Sequence, residues 1–402
     1  MITKGMIVLK YNGIIISDIH FGATDPSQLK TELTNIFIKY LLEMKKIDFI
    51  IINGDYFDHK LYLNDKVSDY AISFMNTLVR ISQIHSCPIR IVYGTESHEV
   101  NQYTVFSDYE NNPEIDFKII RRASDEELLQ NMNVLYLPEE YVLSKKEYYG
   151  KYLNGNKKYD YIFGHGVIQE VMTEACRNSD NEKKSERKRV PTFKSKELEN
   201  ICNGQVYFGH YHINTNMNDK VFYVGSYSRW IHGESEPKGF YHVKFDPDKK
   251  QCTQTFIENY LAKKYITYTY AYDSKVLESE DELLKELNKR DKLTESSDVD
   301  NVRYIFNIPE NHPNPEFIIN ILNERYKFKN NIKFKVVNGY VEKKKKVNKE
   351  RLNEVMNDYP FIFDKSQKLE DKIVYFIKKR YEYDISPDHV IDILYDEKKE
   401  EA

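Results

Sequence analysis

Asp18 and His20 stand two residues apart in SDIHFG (17–22), and His210 and His212 repeat that spacing in GHYH (209–212). At the end of an extended strand an i, i+2 pair points to one side. Asp55 follows Gly54 in NGDYFD (53–58), with Asp58 and His59 close behind, and His165 lies between two glycines in GHG (164–166). Imidazole nitrogens and carboxylate oxygens together suit borderline-hard divalent ions such as manganese. Two such ions about 3.5–4 Å apart can share a carboxylate, make water nucleophilic at neutral pH and offset charge on a phosphoryl oxygen. Singly, each fragment is an ordinary turn or a hydrogen-bonded strand-end histidine. Recurring in order after apolar runs, they predict a metal site. His85, His232, His242, His312 and His389 have no such setting and read as structural or solvated, whereas His59 could support the site.

The elements that must position these residues are short apolar runs closed by Gly, Asp or His, such as GIIISDIHFG, DFIIINGDYFD, YDYIFGHG and GQVYFGHYH. Runs of this kind read as buried strands. Between the first two, Asp25 caps a helix with Pro26 at its first position. Leu29, Leu33, Ile36, Phe37, Tyr40 and Leu41 line one face of it. Strand, helix, strand makes a βαβ unit, and sites in such sheets form beyond the carboxyl ends of the strands. From about 251 the pattern changes to a smaller set of alternating strands and helices, Ser279 and Glu282 having capping-box spacing. A charged stretch, VEKKKKVNKE (341–350), precedes a helix with Leu369, Ile373, Phe376, Ile377 and Tyr381 on one face. The expected organisation is α/β: a core over 1–250, a small α+β domain over 251–340, and a linker with a helical tail over 341–402.

The chain has 402 residues, 41% hydrophobic and 30% charged, with a net charge of −4. That balance fits a globular protein and gives no global attraction to nucleic acid. Local patches would have to supply any such contact. The basic run at 181–190 and Lys343 to Lys346 are candidates, with solvated loop and linker as the plainer readings. Gly225-Ser226 either brings backbone near a phosphate or merely turns the chain. No apolar run is long enough to span a bilayer. Cys87, Cys176, Cys202 and Cys252 form no close pair and read as reduced thiols. With a first segment that makes a poor signal peptide, the expected location is cytoplasmic.

SDIHFG, NGDYFD, GTESHE (94–99), GHG and GHYH resemble, in order, the five motifs of the calcineurin-like metallophosphoesterases. YVGSYSRWIHGESEPKGFYHVKFD (223–246) narrows this, being similar to a Gly-Ser-x-x-Arg…Glu…Lys-Gly-Phe segment of the DNA double-strand-break repair nucleases. That family includes bacterial SbcD, phage recombination nuclease subunits and the Mre-eleven type. The resemblance implies a β-sandwich core flanked by helices, a capping domain that contacts DNA, and a tail that binds a coiled-coil SMC-like ATPase. It further implies a homodimeric exo/endonuclease with two divalent ions, manganese foremost. Asp18, His20 and His212 would hold one ion and His165 and His210 the other, with Asp55 bridging. His98 would stand unligated beside the scissile phosphate and serve the leaving oxygen, Glu99 orienting it. Asp58 takes the place of a histidine found in other members.

The loop at 94–99 departs from the family pattern, because the asparagine whose amide oxygen binds the second ion is missing. Thr95, Glu96 or Ser97 could supply an oxygen instead. The expectation is a working His98 and a more weakly held second ion. Rival readings are a small-molecule phosphodiesterase or phosphatase on the same core, and a non-catalytic scaffold with a degenerate second site.

Overall fold

β1 (Tyr11–Ile16) leads through a helical segment into β2 (Phe49–Asn53), and the two strands pair in parallel with Gly13 opposite Phe49. The helix opens at Pro26, and the Asp25 carboxylate accepts the Gln28 N–H at 2.9 Å. That contact satisfies a donor the first turn would otherwise leave free. Its middle turn, Leu33–Ile38, is π-helical. The structure is a computed structural model that describes residues 10–62, 64–171, 192–234, 236–270, 274–296, 300–308, 312, 316–327, 329, 331–337, 361, 367–381 and 384–388. Cys176, the basic run at 181–190, Lys343 to Lys346 and His389 lie outside the described residues.

β3 (Ile89–Val92) and β4 (Phe117–Ile120) extend the first sheet in parallel. Next come β5 (Ser124–Leu129), β6 (Met132–Leu137), β7 (Tyr159–His165), β8 (Val167–Ile168) and β9 (Thr192–Phe193). β10 (Cys202–Gly209), β11 (Thr215–Asn216), β12 (Val221–Tyr223), β13 (Gly239–Asp246) and β14 (Gln251–Glu258) complete the core. One sheet runs β14-β13-β1-β2-β3-β4 and the other β11-β12-β10-β7-β6-β5. Strand alternation sorts the side chains into layers. Ile14, Ile16, Ile50 and Ile52 pack with Leu29, Phe37 and Leu78 of the helices. Ile15, Phe49 and Ile51 instead meet Tyr161, Phe163 and Tyr207 between the sheets. Beyond the second sheet, Ile162 and Phe208 join Tyr149 and Leu198 of two further helices. The result is an α/β sandwich flanked by helices. Each large apolar side chain buried this way contributes roughly 1.5–3 kcal/mol, so the layering holds the strand ends firmly.

The expected break at 250 falls inside a hairpin. β14 pairs with β13 from Gly239↔Glu258 to Asp246↔Gln251, and Asp246 Oδ1 accepts from the Asp248 and Lys249 N–H groups in the turn. β14 therefore belongs to the sandwich edge. The chain divides into two compact units, 1–267 with 292–303 and 268–291 with 304–402. A smaller sheet comprises β15 (Tyr265–Tyr270), β16 (Asn301–Asn307) and β17 (Ile332–Val337), with helices Glu280–Ser296 and Glu316–Tyr326 nearby in sequence. Within the second unit Tyr304 stacks near Tyr326, and Arg325 pairs with Asp291 at 2.7 Å. A helix at Leu369–Tyr381 follows. Among the described residues no helix is long and apolar enough to cross a membrane.

Candidate metal centre

Both sheets deliver the expected ligands at one end. Asp18 and His20 follow β1, Asp55 follows β2, His165 ends β7, and His210 and His212 follow β10. Asp18, His20, Asp55 and His210 all have positive φ, at 47°, 50°, 42° and 100°. For non-glycine residues this costs on the order of 1–3 kcal/mol each and persists only where surroundings enforce it. Here the His20 N–H donates to Asp55 O at 3.0 Å, and the His210 N–H donates to Asp18 Oδ1 at 3.0 Å. Space is equally constrained: a Cβ on Gly54 would stand 2.0 Å from the His165 ring, and one on Gly94 2.2 Å from Asp55 Oδ1.

Ligand atoms converge on the two buried aspartates. His165 Nε2 is 3.4 Å from both Asp18 Oδ1 and Asp55 Oδ2. His20 Nε2 is 3.5 Å from Asp55 Oδ2 and 3.2 Å from His212 Nε2. Three imidazoles carry a carboxylate on the other nitrogen. Nδ1 of His20 is 3.1 Å from Asp58 Oδ1, Nδ1 of His165 is 3.0 Å from Glu139 Oε2, and Nδ1 of His212 is 3.0 Å from Glu234 Oε1. Such a partner fixes the tautomer and leaves Nε2 free to bind a metal.

The electrostatics favour a cation. Burial opposes charge on His165, yet Asp55, Asp18 and Glu139 hold its pKa well above the ordinary imidazole value. Burial likewise opposes charge on His20, and Asp58, Asp55 and Asp18 raise it. Asp55 stays far below the usual carboxylate range despite burial, because His165 and His20 face it. Protons on imidazoles thus offset buried carboxylates, and a divalent ion does the same work while displacing them. Four groups bring their ligand atoms within 4.8 Å of one another: Asp18–His20–His212, Asp18–Asp55–His165, Glu139–His165–His210 and His20–Asp58–His98. The mixture of imidazole and carboxylate fits divalent metal.

The sequence model of the calcineurin-like phosphoesterases matches residues 14–248. The chain belongs to that family. Family membership makes it a metal-dependent phosphoester hydrolase, and the clusters above are its candidate metal sites. No curated protein matches this chain. One solved crystal structure is similar over 62% of this chain and 100% of its own, at 12% identity and a TM-score of 0.34.

In this phosphoesterase the altered loop forms one helical turn, Glu96–Glu99, after β3. The turn brings His98 to a ring-centroid distance of 4.9 Å from His20. Thr95 reaches the site, its N–H donating to Asp55 Oδ1 at 2.6 Å and its hydroxyl lying 3.3 Å from Asp55 Oδ2, whereas Glu96 and Ser97 are exposed. Glu99 does not orient His98. Its Oε1 accepts from the Tyr56 N–H at 3.1 Å and the Tyr103 hydroxyl at 2.9 Å, while His98 Nδ1 is buried without a hydrogen-bond partner. Neighbouring residues on a helical turn do not face each other, so Glu99 anchors the loop inward instead. Asp58 sits between His20 and His59, and these contacts hold it at about 2 against burial.

The 223–246 segment supports His212 directly. Lys238 Nζ donates to His212 O at 2.7 Å and to Ser226 Oγ at 2.8 Å, and Trp230 packs 4.7 Å from the His212 ring and 4.8 Å from the His20 ring. Gly225, at φ 78°, turns the chain against Asn214. Arg229 donates to the carbonyls of Ala262 and Glu236, so its guanidinium serves the fold. Among the histidines set aside, His85 accepts from Ile47 N–H, His242 meets the Tyr40 hydroxyl and His312 the Leu277 carbonyl. Sequence reading missed the roles of Glu139 and Glu234. Glu139 had one signal, an apolar strand closed by Pro138-Glu139-Glu140, the pattern that marks the other clusters.

Proposed function

We infer that this phosphoesterase is a DNA nuclease: the manganese-dependent exo/endonuclease subunit of an ATPase–nuclease complex, acting as a homodimer. The observation that carries the substrate class is the 223–246 segment. Its sequence resembles the repair nucleases, and its residues Glu234, Lys238 and Trp230 pack on the candidate ligands His212 and His20. Two bound divalent ions would activate water and offset charge on the phosphodiester. Asp18, Asp55, His20, His165, His210 and His212 hold them in this reading. Asp58 and Glu234 keep His20 and His212 turned toward the site. His98 flanks the same centre from the loop and in this reading serves the leaving oxygen.

Support for the partner comes from the tail. The helix Leu369–Tyr381 is amphipathic, with Leu369 and Phe376 exposed, and such a face suits docking to another helix. In this reading the partner is the coiled-coil ATPase.

The test is end-labelled linear DNA incubated with the full chain, with and without manganese and with a matched ATPase, beside a panel of small phosphate mono- and diesters. Manganese-dependent shortening of DNA, with slow turnover of the small esters, is expected. Rapid ester hydrolysis with intact DNA would move the protein to the small-molecule phosphodiesterases. Inertness toward both would make it a scaffold.

A further inference from the structure

We propose that Glu139 is itself a metal ligand, supplying the hard oxygen that the loop at 94–99 lacks; this rests on the two-ion reading above. Glu139 follows β6, and its side chain is wholly enclosed. One carboxylate oxygen, Oε2, lies 3.0 Å from Nδ1 of His165, 3.0 Å from Nδ1 of His210 and 3.2 Å from Thr95 Oγ1. Neighbouring ligands on an octahedral divalent ion with bonds of about 2.1 Å stand about 3 Å apart. The contacts of Oε2 to His210 Nδ1 and Thr95 Oγ1 match that spacing, while its contact to His165 Nδ1 is the hydrogen bond that leaves His165 Nε2 for metal.

The other two histidine-bound carboxylates are arranged differently. Asp58 meets His20 through Oδ1 and turns Oδ2 to the exposed His59. Glu234 meets His212 through Oε1 and receives the Trp230 N–H on Oε2. Each serves one metal-facing imidazole, which is all that orienting requires. Glu139 Oε2 instead gathers imidazoles from the ends of two strands together with a hydroxyl.

Its position also answers where the missing amide oxygen went. Thr95 Oγ1 stands between Asp55 Oδ2 at 3.3 Å and Glu139 Oε2 at 3.2 Å. The Glu139 N–H donates to the Tyr93 carbonyl at 3.1 Å, which ties Glu139 to the residue just before Gly94. Oxygens of Asp55, Thr95 and Glu139 therefore line the side of the centre occupied by His210. A carboxylate there brings charge that an amide would not. The second ion is then held firmly, contrary to the weak binding expected from the altered loop.

Calorimetric titration of the full chain with manganese tests this without relying on activity. Wild type should bind two equivalents. Glu139→Ala should keep one and weaken the other by more than about 100-fold, the retained equivalent reporting a folded site. Adding Thr95→Asn to Glu139→Ala places an amide oxygen beside Asp55 and should restore the second equivalent. Two equivalents in Glu139→Ala, with affinities within about twofold of wild type, would overturn the proposal. So would a loss that Thr95→Asn fails to restore while Thr95→Asn alone still binds two; Glu139 would then act by orienting His165. Fewer than two equivalents in wild type would defeat the two-ion reading instead.

Discussion

Asp55→Asn is expected to lower kcat by about three orders of magnitude or more, while the protein stays folded. Ions contribute several kcal/mol to offsetting transition-state charge, and each 1.36 kcal/mol is about tenfold in rate. Asp55 stands between histidines assigned to the two different ions. Its Oδ2 is 3.4 Å from His165 Nε2 and 3.5 Å from His20 Nε2, and its Oδ1 is fixed by the Thr95 N–H at 2.6 Å. Asparagine tolerates the positive φ of this position better than most residues, so the backbone survives. The charge that would hold both ions does not. Thermal unfolding separates the causes. Manganese should raise the melting temperature of wild type by mass action, and Asp55→Asn should lose most of that shift while melting near wild type without metal. An Asp55→Asn protein that keeps both the shift and the rate would remove Asp55 from the centre.

His98→Ala should lower kcat by about 10²–10⁴-fold, the range for a positioned acid or base, and leave manganese binding unchanged. His98 differs from the ligands in having no carboxylate on Nδ1, which is buried and unpartnered. Burial also pushes its pKa below the ordinary imidazole value. The sign of the pH effect follows. As a proton donor His98 works in its protonated form, which grows as pH falls, and a lowered pKa moves that growth to more acid pH. The ratio of wild-type to His98→Ala rates, taken at saturating manganese, should therefore shrink as pH rises. A constant ratio would show that His98 acts as a neutral hydrogen-bond donor or a packing group, and a ratio near one would remove it from the chemistry.

Much of this was legible in the sequence, and the reasons are local. Asp18, His20, Asp55, His165, His210 and His212 each close an apolar strand, and the carboxyl ends of neighbouring parallel strands lie at one edge of each sheet. Asp25 before Pro26 announced the first helix in the same way. What was illegible depends on pairing across the fold. Glu139 in LPEE and Glu234 in GESEP look like ordinary surface acids until the folded chain sets them on His165 and His212. Glu99 misled in the opposite sense, since adjacency in sequence suggested contact with His98 where helical geometry turns the two apart. β14 falls within the range 251–340 expected for the smaller domain, and only its hairpin with β13 puts it in the sandwich.

The most direct measurement of the central claim is anomalous diffraction from crystals of the full chain grown with manganese. Two peaks about 3.5–4 Å apart, flanking the Asp55 carboxylate, are predicted, one beside His20 and His212 and the other beside His165 and His210. A single peak, or peaks away from Asp55, would contradict the two-ion centre on which the hydrolytic reading depends.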